Sequence, residues 1–163
     1  MSFFNLYRHN FVRVAIAVPE VRVADPAFNA ARTVELMRQA HERDSALLLF
    51  PELGLTAYSC EDLFHQQALL EAALAALERV RKASESCFPV VVVGMPLRVD
   101  GLLFNCAVVL HRGRILGVVP KTYLPGYREF YETRHFASGD VATVDEVVVG
   151  EARVPFGAQL LFR

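Results

Sequence analysis

The chain has 163 residues, 53% of them hydrophobic, and a formal net charge of -1. That length fits one domain or a large piece of one, with ample material for a core, and the charge balance excludes a nucleic-acid or acidic-membrane surface as the default partner. The three cysteines, Cys60, Cys87 and Cys106, are odd in number and lack paired spacing, which excludes a disulfide framework and a CxxC metal site and points to a reducing cytoplasm.

The N-terminus lacks the features of a secretory signal, and no apolar run reaches the roughly 18 residues of a membrane span. Val12 to Val18 alternates and then turns wholly apolar, which predicts a buried strand. Asp25-Pro26 marks a helix start, with aspartate as N-cap and proline in the first turn. Phe28, Ala31, Val34 and Met37 then share one helical face, with Leu36 and Ala40 beside it, so a helix is expected from Pro26 to about Glu42. Ala46 to Phe50 reads as a second buried strand. Ser59 with Asp62 resembles a capping box, and Cys60 to about Glu85 reads as helical with a break near His65. Val90 to Met95 reads as a third buried strand.

Phe104 to His111 and Arg114 to Val119 predict two strands joined by a tight turn at Arg112-Gly113. Lys121 to Asp140 holds no sustained period and reads as an ordered loop. Val141 to Val149 and Gln159 to Phe162 read as further strand material. Helix-separated strands followed by a hairpin predict an α/β fold, a mixed sheet with helices on one face. The chain stops at an apolar stretch, which is read as an incomplete domain.

Two positions stand out chemically. In "LLLFPELGLTAY" Glu52 follows a strand that looks fully buried, where a carboxylate must be solvated, paired or put to work. In "GVVPKTYLPGYREFYETRHFASGD" Lys121 repeats that arrangement of apolar strand, proline and charged residue. Opposite charges at neighbouring strand ends either tie the ends together as an ion pair or place a base and an oxyanion-stabilising ammonium over one pocket. Tyr127, Phe130 and Glu132 are candidates for substrate contact; local packing is the alternative.

Cys60, beside an expected helix N-terminus that lowers a thiol pKa, and Cys106, inside an apolar strand, compete as nucleophiles, whereas Cys87 has no basic neighbour. The five histidines form no HxH or HxxxH pair, so no metal site is expected. No glycine-rich phosphate loop occurs.

These residues resemble the carbon-nitrogen hydrolase (nitrilase) superfamily. Tyr7 to Ala15, "PELGLTAYSCEDLF", "VVVGMPL", the run from Asn105 to Glu132 and "VPFG" are similar to the amidase half of the bacterial glutamine-dependent NAD synthetases. The resemblance implies a four-layer αββα sandwich, here incomplete, with residues 1-163 as the N-terminal portion of the glutaminase domain. It implies Glu52 as general base, Lys121 as stabiliser of the tetrahedral intermediate, and Tyr58, Tyr127, Phe130 and Glu132 as the glutamine pocket. The family's nucleophilic cysteine follows the VPFG segment and has no match in this chain, so the 163 residues alone are expected to be inactive. ATP and Mg would belong to a synthetase domain that this chain lacks, and homo-oligomers are expected. A free-standing nitrilase-type amidase and a non-catalytic scaffold are the alternative readings.

Overall fold

The computed structural model describes residues 5–162. Its centre is a five-stranded sheet in the order β1-β2-β3-β4-β5. The strands are β1 (Val14–Ile16), β2 (Leu47–Leu49), β3 (Val90–Val99), β4 (Leu102–His111) and β5 (Arg114–Pro120). The first three run parallel, and β4 is antiparallel to both β3 and β5. A second hairpin, β6 (Glu146–Val149) and β7 (Ala152–Pro155), is joined to β5 by a parallel bridge between Val118 and Phe156.

Two helices, α1 (Pro26–Glu42) and α2 (Gln67–Ala83), cover one face of the sheet. Helix α1 starts as expected, with Asp25 Oδ1 accepting from the Phe28 amide at 3.0 Å. Its buried stripe runs through Asn29, Ala30, Thr33, Val34, Met37 and Ala40, so Phe28 and Ala31 flank the core rather than form it. Core residues alternate along the long strands: Val91, Val93, Met95 and Leu97 on β3, with Phe104, Cys106, Val108 and Leu110 on β4. This is the period of two that a pleated strand imposes.

Several expectations need correction. The Val12 to Val18 segment is not buried. Ala15 and Ala17 pack on the core, but Val12, Val14, Ile16 and Val18 are exposed, Ile16 at 76%. Leu47 and Leu49 on β2 extend the same open apolar face. The capping box at Ser59 and Asp62 does not form; Cys60 occupies the cap without a side-chain bond, and Asp62 turns to Arg134 instead. The helical stretch does break where expected, a 3-10 turn at Glu61–His65 giving way to α2 after Gln66. Gln159 to Phe162 is not a strand.

The third and fourth strands are longer than the sequence pattern predicts. They are joined at Asp100-Gly101, where both φ angles are positive, as they are at Arg112-Gly113. Two-residue hairpins twist correctly only with such left-handed residues, and an Asp-Gly pair supplies them. Pro96 is tolerated inside β3 because β2 has ended opposite Val92, leaving β4 as the single strand neighbour there.

The one-sided cover of the sheet has a measurable consequence. Met37→Ala should cost about 3 kcal/mol by opening a cavity beneath α1, whereas Ile16→Ala should change stability by no more than about 0.5 kcal/mol. Urea denaturation midpoints of the two variants decide this; equal losses would mean that the β1 face is covered.

Candidate active site

Topology brings the charged residues together. Two antiparallel pairings separate β3 from β5, so β5 runs the same way as β2 and β3. The residues that follow β2 and β5, Glu52 and Lys121, therefore emerge at one end of the sheet. Asn105, near the start of the oppositely directed β4, lies at that end too. A crevice at strand carboxyl ends is a usual place for a site in such sheets.

Glu52 sits in a tight turn whose path depends on Gly94. A Cβ at Gly94 would lie 2.3 Å from the Leu53 amide nitrogen and 2.8 Å from the Pro51 carbonyl oxygen, so only glycine allows β3 to pass this close. The chain beyond the turn is tied down by buried Asn29, whose amide donates to the Arg22 and Leu55 carbonyls at 2.9 and 3.2 Å and accepts from the Arg22 N–H at 2.8 Å.

The Lys121 ammonium bridges two carboxylates. Its Nζ is 2.8 Å from Glu52 Oε1 and 3.0 and 2.9 Å from Glu132 Oε1 and Oε2. Tyr58 donates its hydroxyl to Glu132 Oε1 at 2.7 Å. Asn105 donates its side-chain amide to Glu52 Oε1, and its carbonyl accepts from the Lys121 N–H at 2.8 Å. Glu132 is 5% exposed, Lys121 27% and Glu52 41%. Oε2 of Glu132 is buried and meets Lys121 as an ion pair, with no aligned hydrogen bond among the described residues. Oε2 of Glu52 takes none either, both of its partners being on Oε1.

Burial by itself would pull the Lys121 ammonium down; the hydrogen bonds and charges of Glu52 and Glu132 outweigh it and hold its pKa above the ordinary lysine value. Burial, with the hydrogen bond and charge of Glu132, pushes the Tyr58 phenol well up, so it remains a donor.

The loop that delivers Glu132 is held by a second apolar cluster of Leu53, Cys60, Phe64, Leu69, Leu70, Leu103 and Phe136. Phe136 packs on Phe64 at 5.0 Å between ring centroids, and the Ala137 amide donates to the Leu103 carbonyl. Phe130 reaches the Tyr58 ring edge-on at 6.4 Å, whereas Tyr127 contacts Phe130 but is otherwise exposed. Of the six sequence candidates, Glu52, Lys121, Glu132 and Tyr58 thus share one hydrogen-bonded cluster. Phe130 lies against its edge and Tyr127 lies outside it. Asn105 was not foreseen.

An open groove of about 540 Å³ adjoins the cluster, lined by Ile16, Leu49, Val92, Ala107 and Val119 together with Glu52, Asn105 and Lys121. No cysteine serves this cluster. Cys60 is buried and directs Sγ at the Thr56 carbonyl, and burial pushes its thiol up, contrary to the lowering expected at a helix start. Cys106 alternates with Asn105 and lies in the core on the helix side, where burial pushes its pKa up strongly. Cys87 is buried against the Ala83 carbonyl.

A five-stranded mixed sheet with helices on one face is the α/β arrangement of the nitrilase-like fold. The match to the carbon-nitrogen hydrolase model extends over residues 13–159, and the chain belongs to that family. It is 48% identical over 162 residues to glutamine-dependent NAD(+) synthetase of Mycobacterium tuberculosis (strain CDC 1551 / Oshkosh), covering 99% of this chain and 24% of that protein. Among solved structures it is similar to a glutamine-dependent NAD(+) synthetase from Cytophaga hutchinsonii, with a TM-score of 0.82 and 25% identity over 90% of this chain and 25% of that one. An amidase from Nesterenkonia sp. shares the fold, with a TM-score of 0.65 and 21% identity over 85% of this chain and 51% of that one. The chain therefore spans about a quarter of the synthetases it matches.

The raised Lys121 value fixes the sign of a pH effect. A folded pKa above the unfolded one gives stability that is complete below about pH 10.4, the ordinary lysine value, and is lost as pH rises through the folded value. The stability difference between the chain and its Lys121→Met variant should shrink above that pH. A difference that stays constant from pH 8 to 11 in urea denaturation would mean that the ammonium gains nothing from its two carboxylates.

Proposed function

We propose that this chain supplies the base and the oxyanion-stabilising cation of a site that hydrolyses the side-chain amide of L-glutamine to glutamate and ammonia. The observation that carries the reading is the Lys121 ammonium held between Glu52 and Glu132. The names of the relatives add the substrate. Residues 1-163 are then the N-terminal portion of a glutaminase domain, and the nucleophilic thiol comes from a segment outside them.

In this scheme Glu52 takes the proton of the thiol as sulfur attacks the amide carbon. The carbonyl oxygen becomes an oxyanion beside Lys121, whose N–H groups stabilise it. The tetrahedral intermediate collapses, the C–N bond breaks, and Glu52 returns its proton to the departing nitrogen, releasing ammonia. Water, deprotonated by Glu52, then attacks the thioester, giving glutamate and the free thiol. Glu132 holds Lys121 in place through both of its oxygens, and its Oε2, which accepts no hydrogen bond among the described residues, is suited to accept an N–H of the substrate. Tyr58 and Phe130 would flank the bound glutamine at the edge of the cluster.

The ammonia would feed the conversion of deamido-NAD to NAD in a synthetase domain using ATP and Mg. The residues of this chain do not fit those groups, since no glycine-rich phosphate loop is present. The exposed apolar face of the sheet supports homo-oligomeric or interdomain contacts, and three unpaired thiols support a cytoplasmic setting. No helix among the described residues is long and apolar enough to cross a membrane.

Intact-mass analysis with an electrophilic glutamine analogue tests the reading. The 163-residue chain should take no adduct, and a chain extended through the matching thiol segment of a relative should take one. In the extended chain Glu52→Gln and Lys121→Ala should each slow labelling at least about 100-fold. An adduct on Cys60 or Cys106, or unchanged labelling in both variants, would overturn the assignment.

A further inference from the structure

Seventy residues apart in the chain, His65 and His135 meet beside the loop that carries Glu132. His65 Nε2 and His135 Nδ1 are 3.4 Å apart. A carboxylate oxygen of Asp62 lies within 4.8 Å of both. We propose that Asp62, His65 and His135 bind one divalent transition-metal ion of the zinc and cobalt class.

The spacing is what such an ion requires. Two imidazole nitrogens on a tetrahedral ion, each about 2.0–2.1 Å from it, stand about 3.4 Å from one another. Two nitrogens and one carboxylate oxygen favour zinc, cobalt or nickel over magnesium or calcium, which prefer all-oxygen sites. Three protein ligands leave the fourth position to water.

The surroundings match a ligand set rather than a chance meeting of rings. The His135 side chain is only 7% exposed, and its other nitrogen, Nε2, makes no hydrogen bond among the described residues. That nitrogen faces Glu61 Oε2 at 3.9 Å, and Tyr131 donates its hydroxyl to the same oxygen at 2.5 Å. At 3.9 Å the contact with Glu61 is no hydrogen bond, but a small closure of the gap would give the remote ring nitrogen the carboxylate partner that a metal-binding histidine usually has. Arg134 donates to Asp62 Oδ1 at 3.2 and 2.8 Å and to Oδ2 at 3.0 Å. A carboxylate has about four lone-pair sites, so these bonds orient Asp62 and still leave room for an ion. A simple His–His hydrogen bond would satisfy one nitrogen of each ring, but it gives no reason for a carboxylate oxygen of Asp62 to lie within 4.8 Å of both.

The ion would cross-link the Glu61–His65 turn to the loop of Glu132. The His135 amide donates to the Glu132 carbonyl at 2.9 Å, so a fixed His135 also fixes the glutamate that holds Lys121. Binding to the folded chain alone raises its stability by mass action.

The test is titration of the 163-residue chain with Co2+ and Zn2+. One Co2+ per chain should give visible bands of tetrahedral nitrogen–oxygen ligation, and Zn2+ should displace it and raise the thermal midpoint. His65 and Asp62 are exposed, so their variants should fold. His65→Ala should lose the bands and the thermal shift. Asp62→Asn should bind at least about tenfold more weakly, and so should Glu61→Gln, as removal of a supporting partner does. Absence of binding, binding unaltered by His65→Ala or by Asp62→Asn, or cobalt–thiolate bands would each overturn the proposal.

Discussion

The site depends on one cation shared by two carboxylates. Glu132 is almost fully buried, and a lone buried carboxylate costs several kcal/mol or takes up a proton. Lys121 removes that cost, with Tyr58 filling a further lone pair. Glu52 and Glu132 would repel each other across this short distance without the ammonium between them. The buried Glu132 therefore depends on the Lys121 charge, and each charge of the cluster comes from a different strand end or loop. Folding has to deliver three separated segments to one point, and the rest of the architecture can be understood as the means of doing so.

Direction and clearance are the two means. Parallel β2 and β3, followed by two antiparallel steps, return β5 in the direction of β2, so that Glu52 and Lys121 leave the sheet on the same side. Gly94 gives the Glu52 turn its clearance, because any side chain there would meet the backbone of Pro51, Glu52 and Leu53. Asn105 then joins the two ends from within the sheet, bonding Glu52 through its side chain and Lys121 through its backbone. The Glu132 loop has no regular hydrogen-bond ladder of its own. It is placed by the apolar cluster around Phe64 and Phe136.

These devices differ in how far they can be read from sequence. Asp25-Pro26 and Arg112-Gly113 act through local backbone chemistry, and both did what the residues predict. Glu52 and Lys121 were legible as a pair because each follows an apolar run and a proline. Asp100-Gly101 carries the same turn chemistry as Arg112-Gly113, but Pro96 and Arg98 disguise the strand before it. Asn105 left one usable signal, a lone amide in the otherwise apolar run from Leu102 to Leu110, where burial demands partners. The meeting of His65 with His135 left none, since it depends on how a loop without period folds back over a 3-10 turn. The exposure of β1 was hidden for a different reason. Val12, Val14, Ile16 and Val18 are all apolar, and residue type alone cannot tell which face of a strand has a second layer against it.

That open face bears on the chemistry. The floor of the groove beside Glu52 and Lys121 is formed by Ile16, Leu49, Val92, Ala107 and Val119, with no charge of its own. Glu52 is now partly solvated, and an ion pair in that state contributes little. A layer packed on the apolar floor would remove water from the same space. The effective dielectric would fall, and the attraction of Lys121 for a developing oxyanion would grow in proportion. On the proposed reading, covering the sheet and switching on the site are then one event. On that reading the element that brings the thiol would also supply the dry environment in which Glu52 and Lys121 act strongly. Separating those contributions requires a cover without a thiol, and in such a chain the pH dependence of the Lys121 cluster would shift even though no bond could be cleaved.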